Sequence, residues 1–553
     1  MIEEKQKPIG VECRFAVYSK SRESQDDIHL IKEQITNADG TRTPNIRIAK
    51  NVLRPFYITN KGNRNHKDFK EWEDKSKLIE YKSTQTKLTQ SVAAALEQPW
   101  FRGSLRDLCK SPYVYGADIL STSIIKENYR KRYDVQTPYT YACFDTETDV
   151  IHGTEAIMMA TISFKERILT VVQKSFVAGY SNPIERIQKL ARKYIGDVID
   201  QRKINIEVII VDSEIEVVKK TIARAHEWSP DVLAVWNLTF DMDKVIDACN
   251  RAGVLIEDIL SDPRVPPEYR SFKFKKGAAK KVMASGRIIN FKPSQRWNTV
   301  FCPSGFYWLD AMCVYRQVRT GAPEEPSYSL DAILKKNGIG GKLKFDVADH
   351  LSGLEWHKFM QEKYPLEYIV YNIYDCVSME MLDEKTLDVQ LSMPMFAGCT
   401  DFQNFNSLPR KTMNELHYFL EDYDKVPGST SSDMTTEMDE DVLSLSEWIV
   451  MLPSHLVADN GLKIVVENPE LSTNIRAFVA DLDIVGTYPN EELVMNISKQ
   501  TTSKELISIT GISEELQRTQ TINFSGGHTN AVEFATKMYG MPPLDKLLEM
   551  INT

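Results

Sequence analysis

Apolar and polar positions alternate in two rhythms along this chain. Up to about residue 135, short alternating segments such as IRIAK and PFYITN flank a polar, charged stretch, NKGNRNHKDFKEWEDKSK, and no catalytic constellation appears. From about 136, YTYACFDTET and EAIMMATISF read as strands, a helix follows, and DVLAVWN reads as a further strand, which is an α/β pattern. That helix is expected to open on a capping box, Ser213 and Glu216 in the order S-x-x-E, and to carry Val217, Val218, Ile222 and Ala225 on one face. The spacing of Ile369, Val370, Ile373, Val377 and Met381 predicts a second helix over roughly Leu366 to Thr386. Beyond it, GSTSSDMTTEMDEDV (428–442) reads as an exposed loop or domain boundary. The last segment holds the apolar run and turn FVADLDIVGTYPN (478–490) and an amphipathic finish, PLDKLLEMINT.

Length adds that 553 residues exceed one domain and suggest about three or four. With 42% apolar and 26% charged residues, no apolar run of membrane length and no signal-peptide pattern at MIEEKQKPIG, a cytoplasmic globular protein is expected, without a membrane. The eight cysteines include no CxxC pair, so neither a disulfide framework nor a zinc ribbon is indicated. The nine histidines form no HxH or HExxH pattern, which leaves carboxylates as ligands for any metal and favours magnesium or manganese. A net charge of −9 argues against a wholly basic nucleic-acid binder. Two local runs, KENYRKRY (126–133) and FKFKKGAAKK (272–281), interleave cations with aromatics, which suits phosphates and exposed bases; solvated surface loops would read the same.

Three carboxylate motifs follow one another. In FDTETD, Asp145 and Glu147 stand two residues apart at the end of an apolar strand, so both project from one face; an ordinary solvated turn has the same pattern. In VWNLTFD, the strand ends at Asn237, a helix is expected from near Asp243 to Gly253, and Asp241 lies between them, beyond the carboxyl end of a strand, or caps the helix. In YNIYDC, Tyr371 and Asp375 share a helix face beside the apolar stripe, where a polar patch against a core is the alternative. Two-metal phosphodiester hydrolysis joins these pieces, since such carboxylates and a phenol can hold two divalent ions about 3.5 to 4 Å apart. The Tyr371 hydroxyl, as a hydrogen-bonding group, would orient the attacking water.

D-x-E, N-x-x-F-D and Y-x-x-x-D, in this order and at these separations, resemble the three exonuclease motifs of the Tyr subclass of the DEDD proofreading superfamily. The resemblance implies Asp145, Glu147 and Asp375 as metal ligands, Asp241 as a supporting carboxylate and Tyr371 as the water-positioning group, with two magnesium or manganese ions. YVYGADI, FYWLDAMCVYRQV, SYSLDAIL, GGKL and the hairpin-like KVMASGRIINF (281–291) are similar to family B DNA polymerases of the T-even bacteriophage type, over nearly the whole chain.

Against that family DIVGTYPN resembles the first polymerase motif. Asp483 would be a catalytic metal ligand for further magnesium at the polymerase site, and Tyr488, after Thr487 in the nucleotide-binding turn, would exclude ribonucleotides. Gly486 and Thr487 replace the usual Ser-Leu, and Asp481 either adds a ligand or caps the strand. The Asn-Ser-x-Tyr-Gly helix and the Asp-Thr-Asp hairpin of the family are missing from the sequence. The resemblance therefore implies a mixed α+β multidomain protein. An N-terminal domain (1–135) would be completed by about 388–432, a ribonuclease-H-like 3′–5′ exonuclease domain would span 136–387, and a partial palm with the first polymerase motif would span 433–553. Its partners would be DNA, as primer-template and single-stranded 3′ end, deoxynucleotides, and a second polypeptide carrying fingers, thumb and the rest of the palm. The location would be the cytoplasm of an infected host cell. A freestanding exonuclease with a vestigial palm, and a non-catalytic assembly or DNA-binding subunit, are the alternatives.

Overall fold

The computed structural model describes residues 8–429, apart from 69, 134–136, 283–286, 320–322 and 393–407, together with 521–524 and 527–530. The chain divides into two units, Met1–Glu437 and Met438–Thr553, and a hairpin of Thr521–Phe524 with Gly527–Asn530 is described in the second. The first unit is mixed α and β with several sheets.

Strands β1 (Gly10–Lys20), β2 (Asp27–Thr36) and β3 (Arg42–Lys50) form an antiparallel meander. Polar residues interrupt its apolar alternation, because His29 and Lys32 of β2 are themselves buried. Next come β4 (Arg54–Thr59), β5 (Trp72–Asp74), β6 (Leu78–Ser83) and β7 (Val114–Tyr115), with β4 paired between β6 and β7. Helices α1 (Leu88–Ala95) and α2 (Leu105–Leu108) cover this sheet through Leu88, Val92 and Leu108 against Phe56 and Ile58. Helix α3 (Ser121–Arg130) places Ile125 against Cys13, Ala16 and Ile31 of the meander.

A six-stranded sheet follows. Its strands are β8 (Tyr141–Thr148), β9 (Ile157–Phe164), β10 (Arg167–Gln173), β11 (Asn205–Val211), β12 (Val232–Val235) and, after four short strands, β17 (Tyr307–Asp310). The order is β11-β10-β9-β8-β12-β17, and β9 alone runs against its neighbours. Between β10 and β11 lie α4 (Lys174–Val177) and α5 (Pro183–Arg202), then α6 (Glu214–Trp228) and α7 (Leu238–Ala252) flank β12, followed by α8 (Ile256–Leu260). The short strands are β13 (Lys273–Lys275), β14 (Lys280–Val282), β15 (Ile288–Asn290) and β16 (Thr299–Phe301); β13 pairs with β16, and β14 with β15 as a hairpin. Helices α9 (Ala311–Val318), α10 (Leu330–Lys336), α11 (Gly353–Lys363), α12 (Pro365–Thr386) and α13 (Leu408–Asp422) complete the unit.

Two cores result from the period of two along the strands. Ala142 and Phe144 of β8 pack with Val217, Val218, Ile222 and Ala225 of α6 and with Leu238 and Met242 of α7. Tyr141 and Cys143 face the other way, toward Cys376 and Met379 of α12, while Ile369, Val370, Ile373 and Val377 of the same helix join α5 on that side of the sheet. After α13, β18 (Lys425–Pro427) returns to pair with β5, and Ser429 accepts a hydrogen bond from the Ala117 N–H at 2.8 Å.

Two local expectations are corrected. Ser213 is the N-cap of α6, but its hydroxyl lies 3.4 Å from Glu216 Oε2 and makes no cap bond, while Glu216 accepts from the Asp212 N–H at 3.2 Å. The glutamate thus closes the turn one residue early, and the reciprocal box is not made. Helix α7 begins at Leu238, not near Asp243: Asn237 holds the N-cap position without a side-chain cap bond, and Asp310 Oδ2, from another element, accepts the Leu238 N–H at 3.3 Å. Asp241 is therefore inside the first turn and is not a cap.

Candidate metal centre

Strand β8 carries Asp145 and Glu147 in phase with Tyr141 and Cys143, so both carboxylates project toward α12. On α12, Tyr368, Tyr371, Asn372 and Asp375 follow at i, i+3, i+4 and i+7 and line the facing stripe. Carboxylate oxygens of Asp145, Glu147 and Asp375 come within 4.8 Å of one another, and this group can hold a metal ion. Asp375 Oδ1 is buried without a hydrogen-bond partner, an acceptor that a divalent cation would satisfy.

Neighbouring side chains fix the three acids. Asn372 Nδ2 donates to Asp145 Oδ2 at 2.7 Å, and the Tyr368 hydroxyl donates to Glu147 Oε2. Asp241 approaches from the other face of β8. Its Oδ1 accepts from the Thr146 N–H at 3.0 Å and from the Thr146 hydroxyl at 2.6 Å. Thr146 stands between Asp145 and Glu147, so Asp241 braces the strand on which both sit and is not one of the three clustered acids.

Lys342 is the residue the sequence reading missed. Its Nζ donates to Asp375 Oδ2 at 2.6 Å and to the Tyr371 hydroxyl at 2.9 Å. The preceding Gly340-Gly341 lets the chain pass over α10: a Cβ at Gly341 would lie 2.7 Å from Asp331 Oδ1, the atom that accepts the Lys342 N–H at 3.0 Å. The GGKL tetrapeptide offered the signal, but nothing local says that its lysine reaches two residues of α12. Tyr368 and Asn372 were legible in principle, since they share the face of Tyr371 and Asp375.

Burial and mutual repulsion dominate the electrostatics. Desolvation, then the charges of Asp241, Glu147 and Asp375, push Asp145 well above the usual carboxylate range. Glu147 is pushed up to about 8 by burial, against the opposing Tyr368 hydrogen bond and Lys342 charge. Burial lifts Asp241 to about 7 although Thr146 donates to it, and Asp375 is raised by burial although Lys342 opposes the shift. Desolvation pulls the Lys342 ammonium down, but Asp375, Tyr371 and Asp145 outweigh it and hold the group firmly protonated. Such a cluster binds protons or a cation because uncompensated carboxylates at this spacing repel.

The two basic runs part company. Lys126 donates to the Arg14 carbonyl and the Tyr139 hydroxyl, Arg130 pairs with Glu127 and Lys131 with Glu421, so much of KENYRKRY is committed to internal contacts. In FKFKKGAAKK, Lys273, Lys275, Lys280 and Lys281 are exposed, and the run continues into the β14–β15 hairpin expected there. Asp481, Asp483, Thr487 and Tyr488 lie outside the described residues. None of the described helices is long and apolar enough to cross a membrane. No family model matches the chain, and no curated protein matches it.

Proposed function

We propose that this chain hydrolyses DNA from the 3′ end with two bound magnesium or manganese ions. The observation that carries the reading is the convergence of Asp145, Glu147 and Asp375, an orphaned Asp375 oxygen among them, beside Tyr371. Order and direction in the central sheet, a single antiparallel strand flanked by parallel ones, support a ribonuclease-H-like architecture for residues 136–387. Asp145, Glu147 and Asp375 would hold the ions, whose charge would ease deprotonation of the attacking water and offset the charge on the leaving 3′ oxygen.

The side chains have complementary tasks. Tyr371 accepts from Lys342 and so keeps its own proton to donate to an oxygen of water or phosphate. Lys342 offsets the negative cluster and joins Tyr371 to Asp375, which fixes their face of α12. The exposed lysines of β13 and β14 would hold the backbone of the strand being shortened. On the resemblance described above, the chain would also carry the first polymerase motif of a family B polymerase of the cytoplasm. Asp483, Thr487 and Tyr488 would then contribute to a magnesium-dependent, deoxynucleotide-binding site.

The test incubates the purified chain with a 5′-labelled single-stranded oligonucleotide. Stepwise shortening from the 3′ end is expected with magnesium and none with EDTA. Asp145→Ala should lose ~10³-fold, corresponding to several kcal/mol of metal-derived stabilisation. An intact oligonucleotide at high protein concentration, or undiminished hydrolysis by Asp145→Ala, would overturn the proposal.

A further inference from the structure

Glu147 is tied into a hydrogen-bond chain that begins on a different helix. His357 of α11 places Nδ1 2.7 Å from the Tyr368 hydroxyl, and that hydroxyl donates to Glu147 Oε2. A phenol has one proton. With that proton on the carboxylate, the imidazole must be the donor to the phenol oxygen, which assigns the Nδ1–H tautomer to His357. The direction is thus set throughout: His357 N–H to Tyr368 O–H to Glu147.

Packing leaves this chain little freedom. Tyr368 is fully buried, its ring lies parallel to that of Tyr371 at 5.7 Å and 10°, and Trp356 and Phe176 flank it at 6.0 and 6.4 Å. Glu147 is itself partly buried, and the Tyr368 hydroxyl donates to one of its two oxygens. The tie to Tyr368 therefore selects one orientation of the carboxylate.

We propose that His357 and Tyr368 are positioning residues that hold Glu147 in its metal-binding orientation. The inference rests on reading the acidic cluster as a metal-dependent nuclease centre. A hydrogen-bonded partner behind a ligating carboxylate removes rotamers that cannot bind, so its loss lowers metal affinity while the ligand itself remains.

Three variants of the full chain test this. Tyr368→Phe keeps the ring and its stack and removes only the donor; His357→Leu removes the start of the chain; His357→Asn restores an amide N–H near the Nδ1 position. Manganese affinity is measured without DNA, by the loss of the free ion's paramagnetic resonance signal, and hydrolysis is measured against magnesium concentration. Tyr368→Phe should weaken manganese binding about 10- to 100-fold and raise the half-saturating magnesium by a similar factor, with thermal midpoint and oligonucleotide binding in EDTA unchanged. His357→Leu should weaken binding in the same direction, and His357→Asn should recover affinity relative to it. Manganese affinity of Tyr368→Phe within about twofold of the parent chain overturns the relay, as does His357→Asn binding no better than His357→Leu. If the parent chain neither binds manganese nor shortens DNA, the nuclease reading falls and the relay with it; if the parent does both and the variants match it, the relay alone falls.

Discussion

Asp145 and Glu147 are ordinary acids in isolation, and their environment changes how they hold protons. Both stand on one side of β8, where burial and neighbouring carboxylates raise their proton affinity. This has a consequence for stability in EDTA. Glu147 with a folded-state pKa of about 8 and Asp241 at about 7 retain protons that the unfolded chain has released above its ordinary carboxylate values of 4.5 and 3.8. Between those limits the folded state binds more protons than the unfolded one, so stability is expected to fall as pH rises. Scanning calorimetry in EDTA should show the thermal midpoint declining from about pH 5 to about pH 8. Glu147→Gln should flatten the decline, and magnesium should oppose it by binding the folded state. Which acids matter was legible at this scale, from the D-x-E and Y-x-x-x-D spacings. Lys342 was not, because its role arises from a contact 33 positions away along the chain, at Asp375.

Helix and strand periodicity decides which side chains can meet. The prediction for α12, Leu366 to Thr386, differs from the observed Pro365–Thr386 by one residue, because a continuous apolar stripe and a Pro at the first turn define it locally. The start of α7 was misread by five residues because Asp310, on β17, stabilises it. The loop before Lys342 is the most sensitive connection at the site. Gly341→Ala places a methyl group against Oδ1 of Asp331, whose carboxylate is already held by the Lys342 N–H at Oδ1 and by the Lys335 ammonium at Oδ2. Moving that carboxylate displaces the backbone of Lys342. Hydrolysis by Gly341→Ala is therefore expected to fall by about 10- to 100-fold, like other losses of support behind a metal site, with oligonucleotide binding in EDTA retained. Single-turnover rates and fluorescence anisotropy would check the two halves of that expectation.

At the scale of the first unit, buried cations link the meander to the central sheet. Arg14 is 1% exposed; Nη1 donates to the Thr137 carbonyl at 2.7 Å, Nη2 to that of Pro138 at 2.8 Å, and Nε lies 3.3 Å from Asp231 Oδ2. Lys32 does the same from β2, donating to the carbonyls of Ser229 and Pro230. Arg14→Ala would take the guanidinium away from the buried Asp231, leaving only the Lys32 ammonium nearby, and would leave the Thr137 and Pro138 carbonyls without this donor. A loss of about 3–5 kcal/mol is expected, visible as a lower urea midpoint for loss of tertiary fluorescence. The return of β18 to β5 is a second long-range link, joining residues more than 300 positions apart. Local reading did not see the meander as such, because a strand with buried histidine and lysine does not alternate cleanly.

The sequence by itself determined the carboxylates, the one face that Asp145 and Glu147 share and the helix that carries Tyr371 and Asp375, because backbone geometry imposes periods of two and 3.6 on any strand or helix. The tertiary structure alone decided that Asp241 braces β8 from behind, that Lys342 reaches the acids, that Tyr368 joins His357 to Glu147, and that one basic run is spent on internal contacts while the other faces water. Each of these depends on distances between elements far apart in the chain, and local periodicity fixes only the direction in which a side chain leaves its own element.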